Sequence, residues 1–416
     1  MLLNKRILVG ICGGIASYKA VELVSRLQQA GAFVDVIMSE RADEFVRPLT
    51  FSSLSHRPVY SDLWEPSGRA AETHIALAEE AELLVVVPAT ANTIAKLAHG
   101  VADNMLTAVA LATKAPLLMA PAMHQNMYTH PATEANITLL RERGVFIVEP
   151  EVGRLASGEV GIGRLPDTSV LLGAINVVLG RNGDLAGYQV VVTAGGTQEP
   201  IDPVRYVGNR SSGKMGYALA TEARDRGAHV ILISGPVVLD VPYGVEVRRV
   251  ETALQMQGAV YEAVIDADVL VMSAAVADYR PAEVASQKLK KRESQAVDEQ
   301  NGFFLKLVRN PDILEELTDS VYSSTGNERS VGHLVRVGFA AETSNLVAYA
   351  NAKLKAKHLD LLVANDVSRS DSGFGTETNK VYIFHANGDV EDLPVMPKAG
   401  VAAAIWDRIV SLLRTK

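Results

Sequence analysis

RILVGICGGIASYKAVELVSRLQQAGAFVDVIMS, residues 6–39, is the stretch on which the fold turns. Arg6–Ile11 is an apolar run of strand length, and Gly13-Gly14 turns the chain after it. Lys19–Ala30 then carries apolar residues at helical spacing. Ala30-Gly31-Ala32 stops that helix, and Phe33–Met38 is a second strand ending at Ser39. Strand, glycine turn, helix and strand in this order build a parallel sheet covered by helices.

The scheme continues with strands at Leu83–Val87, Pro116–Ala120 and Val145–Val148, and a helix at Thr90–Ala98. It then restarts. Tyr188–Thr193 is a strand, Gly195-Gly196 a turn, Met215–Arg226 a helix, Arg226-Gly227-Ala228 a stop and Val230–Ser234 a strand. Val269–Met272, Leu334–Phe339 and Leu361–Ala364 supply further strands. Two Rossmann-like α/β domains, each of three layers, explain this echo better than one continuous sheet. The Gly, Asn and Asp residues of GRNGDLAG (180–187) suit a boundary, giving domains 1–180 and 188–416 joined by a linker, 181–187. The second domain inserts residues 194–213 between strand and helix, a length at a strand's carboxyl end that points to function.

A chain of 416 residues, 48% apolar and 21% charged, has the composition of a globular protein of two or three domains. Its 40 basic and 48 acidic residues give a net charge of −8, which argues against a general electrostatic grip on nucleic acid. The lone cysteine, Cys12, excludes an intramolecular disulfide and a cysteine-cluster metal site. The longest apolar tract, Met105–Met123, is broken by Lys114, Pro116 and Pro121, so no membrane span is expected. With no targeting segment evident, the expectation is a soluble intracellular protein.

Several strand ends carry candidate chemistry. Gly10-Ile11-Cys12-Gly13-Gly14 departs from G-x-G-x-x-G, and Ser39-Glu40 stands where a ribose-binding acid would end the second strand. A mononucleotide such as a flavin phosphate fits better than a dinucleotide; a plain tight turn is the alternative. Gly208–Met215 (GNRSSGKM) approaches a P-loop, but Met215 replaces the magnesium-binding hydroxyl, so Walker-type phosphoryl transfer is excluded. Anion binding by Asn209, Arg210 and the Ser211-Ser212 amides stays open. His74 enters a helix and reads as structural or catalytic. Pro88–Thr93 (PATANT) reads as a phosphate site or a helix cap, and Pro121–Tyr128 (PAMHQNMY) as a site or a Pro-capped turn. Lys288, Lys290, Lys291 and Arg292 in one cluster, with Lys353, Lys355 and Lys357 in another, suit either a polyanionic ligand or solvent.

Together these segments resemble the bifunctional phosphopantothenoylcysteine decarboxylase/phosphopantothenate–cysteine ligase family of bacterial coenzyme A biosynthesis. The blocks that carry the resemblance run in family order over nearly the whole chain. In the first half they are GGIASYK (13–19), THI (73–75), PATANT, ADNMLT (102–107) and PAMHQNMY. In the second they are TAGGTQEPIDPVR (193–205), GNRSSGKMG (208–216), AAVADYRP (274–281), KLKK (288–291), VRNPDI (308–313), GFAAET (338–343) and ANDV (364–367).

The resemblance implies a flavodoxin-like flavoprotein domain binding FMN, followed by a nucleotide-binding ligase domain. The FMN phosphate would lie by Gly13, Gly14, Ser39 and Thr90, with Asn104 near the ring or a neighbouring subunit. In such enzymes flavin oxidises the cysteinyl thiol to a thioaldehyde, carbon dioxide leaves, and reduced flavin returns the enethiolate to the thiol. His74 matches the catalytic histidine. The loop holding His124 and Asn126 matches the substrate-carboxylate clamp, with His124 where the family commonly has Asn. Ser157 stands where relatives carry a proton-donating cysteine, and a hydroxyl is a far weaker acid. In the ligase domain CTP activates the phosphopantothenate carboxylate as an acyl-cytidylate, and cysteine displaces CMP. By family match Ser273, Ala274, Ala275, Asp278, Lys288, Asn310, Pro311, Asp312, Ile313, Phe339, Lys353 and Lys357 contact CTP. Asn209 acts in turnover of the intermediate, Arg205 and Lys288 stabilise charge, and Arg210 binds substrate. Magnesium is implied, with no ligand cluster visible in the sequence. So are a cytoplasmic location, decarboxylase trimers possibly forming a dodecamer, and dimeric ligase domains.

Overall fold

The computed structural model describes residues 2–64, 73–290, 304–317, 333–342, 346–366 and 375–415. Lys291, Arg292, Thr343 and Val367, named above, lie outside them. The chain forms two compact units, Met1–Gly180 and Arg181–Lys416.

In the first unit six parallel strands lie in the order Val59–Tyr60, Phe33–Met38, Arg6–Ile11, Leu83–Ala89, Leu117–Pro121, Phe146–Ile147. Numbered along the chain this is 3-2-1-4-5-6, and without the two-residue edge strand it is the flavodoxin-like order. Every residue of Leu83–Ala89 is buried, as a parallel strand covered on both faces must be. Helix Ser17–Gln29 turns Ala20, Leu23, Val24 and Leu27 inward at the three-and-four spacing of an amphipathic helix.

The second unit repeats the order. Glu246–Arg249, His229–Ser234, Gln189–Ala194, Val269–Met272, Val335–Glu342 and Leu361–Asp366 are parallel. Val381–His385 and Val390–Asp392 then extend the sheet antiparallel. Val190, Val192 and Ala194 face one core with Trp406, while Val191 faces the other with Met256 and Leu354, the two-residue alternation of a strand between two helical layers. Trp406 is fully buried and its indole N–H donates to the Leu219 carbonyl at 2.9 Å.

The segment expected as a linker packs onto this second unit. Leu185 is fully buried and donates its N–H to the Arg226 carbonyl, while Asp184 pairs with the Arg226 guanidinium. An apolar residue between the glycines ties down what its neighbours would leave loose. Residues 194–213, the expected insertion, form an antiparallel hairpin, Gln198–Pro200 with Tyr206–Gly208.

Candidate active sites at the two strand crossovers

In both units strand order reverses beside the first strand, and the crevice outside those strand ends is where α/β proteins bind ligands. In the first unit the chain leaves Arg6–Ile11 through Gly13-Gly14 into helix Ser17–Gln29. The Gly13 N–H donates to Ser39 Oγ at 3.2 Å. A Cβ on Gly13 would stand 2.8 Å from the Arg41 carbonyl oxygen, so only glycine fits. A Cβ on Gly14 would face the Thr90 methyl at 3.8 Å. Gly13, Gly14, Ser39 and Thr90 therefore meet around one helix N-terminus, an arrangement suited to a phosphate. Thr90 also caps helix Ala91–His99, accepting the Thr93 N–H. Behind the turn, Cys12 donates to Thr93 Oγ1 at 3.2 Å, and burial pushes its thiol up, which keeps it neutral. Asn104 is not part of this cluster. Its side chain caps helix Met105–Ala112, accepting the Thr107 N–H at 3.0 Å and donating to Asp103. His74 lies half-buried in the first turn of helix Thr73–Glu80, its side chain making no hydrogen bond to another described residue.

Nearby, a cavity of about 500 Å³ is lined by Tyr18, Lys19, His124, Arg154, Ser157 and Arg164 among others. Its roof is the hairpin Glu151–Arg154 with Val160–Arg164, and Ser157 sits exposed at the tip. Gly163, at φ +140°, lets that hairpin press on the loop 121–128. A Cβ there would fall 2.0 Å from the Met123 carbonyl oxygen, and Met123 N–H donates to the Gly163 carbonyl at 3.1 Å. His124 caps the short helix Gln125–Tyr128 through Nδ1, which accepts the Asn126 N–H at 3.2 Å. Its proton is therefore on Nε2, which stands 3.0 Å from Glu159 Oε2 and donates to it. An imidazole N–H held in this direction can bind a carboxylate. Asn126 itself is exposed and contributes its backbone.

The second unit has two adjoining cavities of about 540 and 450 Å³ at its own crossover. The larger unites Ala274, Asp278, Asn310, Pro311, Asp312, Ile313, Phe339, Lys353 and Lys357. The smaller adds Asn209, Arg210, Ser273 and Ala275. Lys353 and Lys357, four apart on helix Leu346–Ala356 and the turn that follows it, face the cavity, whereas Lys355 is exposed. Lys357 Nζ pairs with Asp312 Oδ2 at 2.5 Å, and although burial opposes ionisation, that ammonium pulls the carboxyl below its usual range. Asn310 is fixed by donating to the Ala277 carbonyl at 2.8 Å, and Asn209 by donating to that of Val276 at 3.0 Å. Gly213, at φ +76°, starts helix Lys214–Asp225 and directs its first amides to the smaller cavity. Lys288 and Arg205 line neither cavity: Lys288 is exposed, and Arg205 is bonded to Asp202.

Three features went unread in the sequence. Gly163 has the signal of a G-x-G repeat beside Ser157. Lys398, buried and bonded to the Thr376 and Thr378 carbonyls, begins a helix, an unfavourable place for a cation. Burial, and then the neighbouring Lys214, push its ammonium pKa down. Asn365 lines the smaller cavity with a buried Oδ1 that has no hydrogen-bond partner among the described residues. Among the described residues no group of three or more His, Cys, Asp or Glu is placed to hold a metal, and no helix is long and apolar enough to cross a membrane.

Comparison with known proteins bears on the chain from end to end. The family described as Flavoprotein matches residues 1–180, and that described as DNA/pantothenate metabolism flavoprotein C-terminal domain matches residues 185–413. The coenzyme A biosynthesis bifunctional protein CoaBC of Bacillus subtilis is 46% identical over 415 residues, 99% of this chain and 98% of that protein. Its Escherichia coli counterpart is 42% identical over 410 residues, 99% of this chain and 98% of that protein. A crystal structure of the C-terminal domain of a CoaBC protein is 36% identical, with a TM-score of 0.44, over 56% of this chain and all of that one.

Proposed function

The chain belongs to the CoaBC family of bifunctional coenzyme A biosynthesis proteins, and on that premise we propose how its two crossover sites divide the work. The second unit is the ligase. A phosphopantothenate carboxylate oxygen attacks the α-phosphorus of CTP, pyrophosphate leaves, and the cysteine amine then displaces CMP from the acyl carbon to give the amide. The carrying observation is that nine residues picked from the sequence converge on one cavity. Lys353 and Lys357 bring positive charge to the triphosphate, and Asn209 lines the smaller cavity, bonded to the carbonyl of Val276, which lines both. Magnesium fits as an ion held by phosphates and water, since the described residues provide no carboxylate cluster.

The first unit is the decarboxylase. The cradle of Gly13, Gly14, Ser39 and Thr90 suits the phosphate of FMN. When bound, that cofactor supplies the two-electron oxidation and reduction at the cysteinyl carbon–sulfur bond. His124 Nε2–H holds the departing carboxylate, as it holds Glu159 here. His74 takes the thiol proton, and Ser157 at the hairpin tip passes a water proton to the enethiolate. Assembly as a homo-oligomer is supported by exposed Ile15 and Tyr18 beside the phosphate turn, each 62% exposed. A cytoplasmic site of action follows from those substrates.

Purified protein given phosphopantothenate, cysteine, CTP and magnesium should yield phosphopantothenoylcysteine and then phosphopantetheine by mass spectrometry. Absence of the first product sinks the ligase assignment. Carbon dioxide release should fall at least about a hundredfold in His74→Asn while the protein stays yellow, the loss expected of a removed general base. Undiminished release would dismiss His74.

A further inference from the structure

Lys288 lies outside both cavities, yet the backbone beside it is fixed. Asp202, only 3% exposed, accepts the Val204 and Arg205 N–H groups on Oδ1, each at 2.9 Å. Its Oδ2 accepts Arg205 Nε at 3.0 Å, Arg205 Nη2 at 2.5 Å, and the Leu289 N–H at 3.1 Å. The same Arg205 Nη2 donates to the Leu289 carbonyl at 2.9 Å. Both backbone groups of Leu289 are thus held by one ion pair, and Ala285 N–H is held by the Ile201 carbonyl at 3.0 Å. Lys288 sits between these two attachments. The donors directed at Asp202 hold its carboxyl far below the usual range, so it stays an anion through the working pH.

We propose that Asp202 and Arg205 are positioning residues, an ion-pair clamp that sets where the Lys288 ammonium is delivered. Arg205 then acts through the Lys288 loop, not as a charge on the reacting phosphate. This inference rests on the reading of Lys288 as a ligase residue. An ammonium at position 205 keeps the charge but cannot bridge Asp202 and the Leu289 carbonyl with the planar fork of a guanidinium. An amide at position 202 offers one acceptor oxygen where two are used.

The test uses the full chain and variants D202N, R205K, R205Q and K288Q, read by amide hydrogen exchange of residues 285–290 and by acyl-cytidylate formation. D202N, R205Q and R205K should each speed exchange at Leu289 about tenfold or more and slow acyl-cytidylate formation by about ten- to a hundredfold, the scale of a reacting group displaced by about 1 Å. Joined to K288Q, D202N should cost nothing further. Wild-type rates in R205K alongside a loss in R205Q would show that charge alone matters and overturn the clamp. So would unchanged exchange in D202N, or losses from D202N and K288Q that multiply. If K288Q alone forms acyl-cytidylate normally, the ligase role of Lys288 fails, and exchange still reads the clamp separately. The second unit's own calorimetric unfolding transition, which reports on the core around buried Trp406, serves as the folding control.

Discussion

His124 does two jobs with one ring: Nδ1 caps a helix and Nε2–H meets a carboxylate. His124→Ala should lose about 1 kcal/mol of cap stability and slow carbon dioxide release at least about tenfold, whereas His124→Asn keeps a capping oxygen. Thermal melts and release assays distinguish the two; equal stability of Ala and Asn variants would refute the cap. Glu391 gives a pH prediction. Arg408 foremost, helped by His385, lowers its carboxyl to about 2. Unfolded glutamate titrates near about 4.3, so the contribution is complete above about pH 5 and disappears as pH falls through about 2. The pair is part-exposed, so screening limits it to under about 1 kcal/mol. Glu391→Gln should lower the melting temperature at neutral pH and match the parent in strong acid. An equal difference at both extremes would disprove the ion pair.

Among elements, the hairpin Glu151–Arg154 with Val160–Arg164 depends on Gly163 to reach the loop 121–128. Gly163→Ala adds a Cβ at a positive φ and 2.0 Å from a carbonyl oxygen. Carbon dioxide release should fall on the order of a hundredfold while CTP-dependent ligation persists; parallel loss of both would mean general misfolding instead. The large strands were legible because fully covered parallel strands are unbroken apolar runs, and Arg6–Ile11, Phe33–Met38 and Val269–Met272 are found where they were read. Leu83–Val87 continues to Ala89, past a proline that sequence patterning takes as a stop. The hairpins were not legible, since glycine-rich strands such as VGIGR carry little hydrophobic alternation. At the sites, residues at strand ends could be found by position. The surroundings of Lys288 could not, because Asp202 reaches Leu289 through a bond far apart in sequence.

On the scale of the whole molecule, one topology serves twice, each time with its ligand crevice beside the first strand. The two units should report separately on damage. Trp406 is buried in the second unit's core, and Trp406→Ala should cost about 3–5 kcal/mol. Calorimetry should then show one unfolding transition moving down and the other staying in place. A uniform shift of both would contradict separate cores.

The outermost strands bear on how copies can meet. Val59–Tyr60 and Phe146–Ile147 flank the first sheet with two residues each, and Glu246–Arg249 and Val390–Asp392 close the second with short, charged ribbons. None offers a flat, apolar row of amides and carbonyls for an added strand. Strand addition at the edges of these two sheets is therefore disfavoured, and crowding this protein should give discrete particles in place of fibrils.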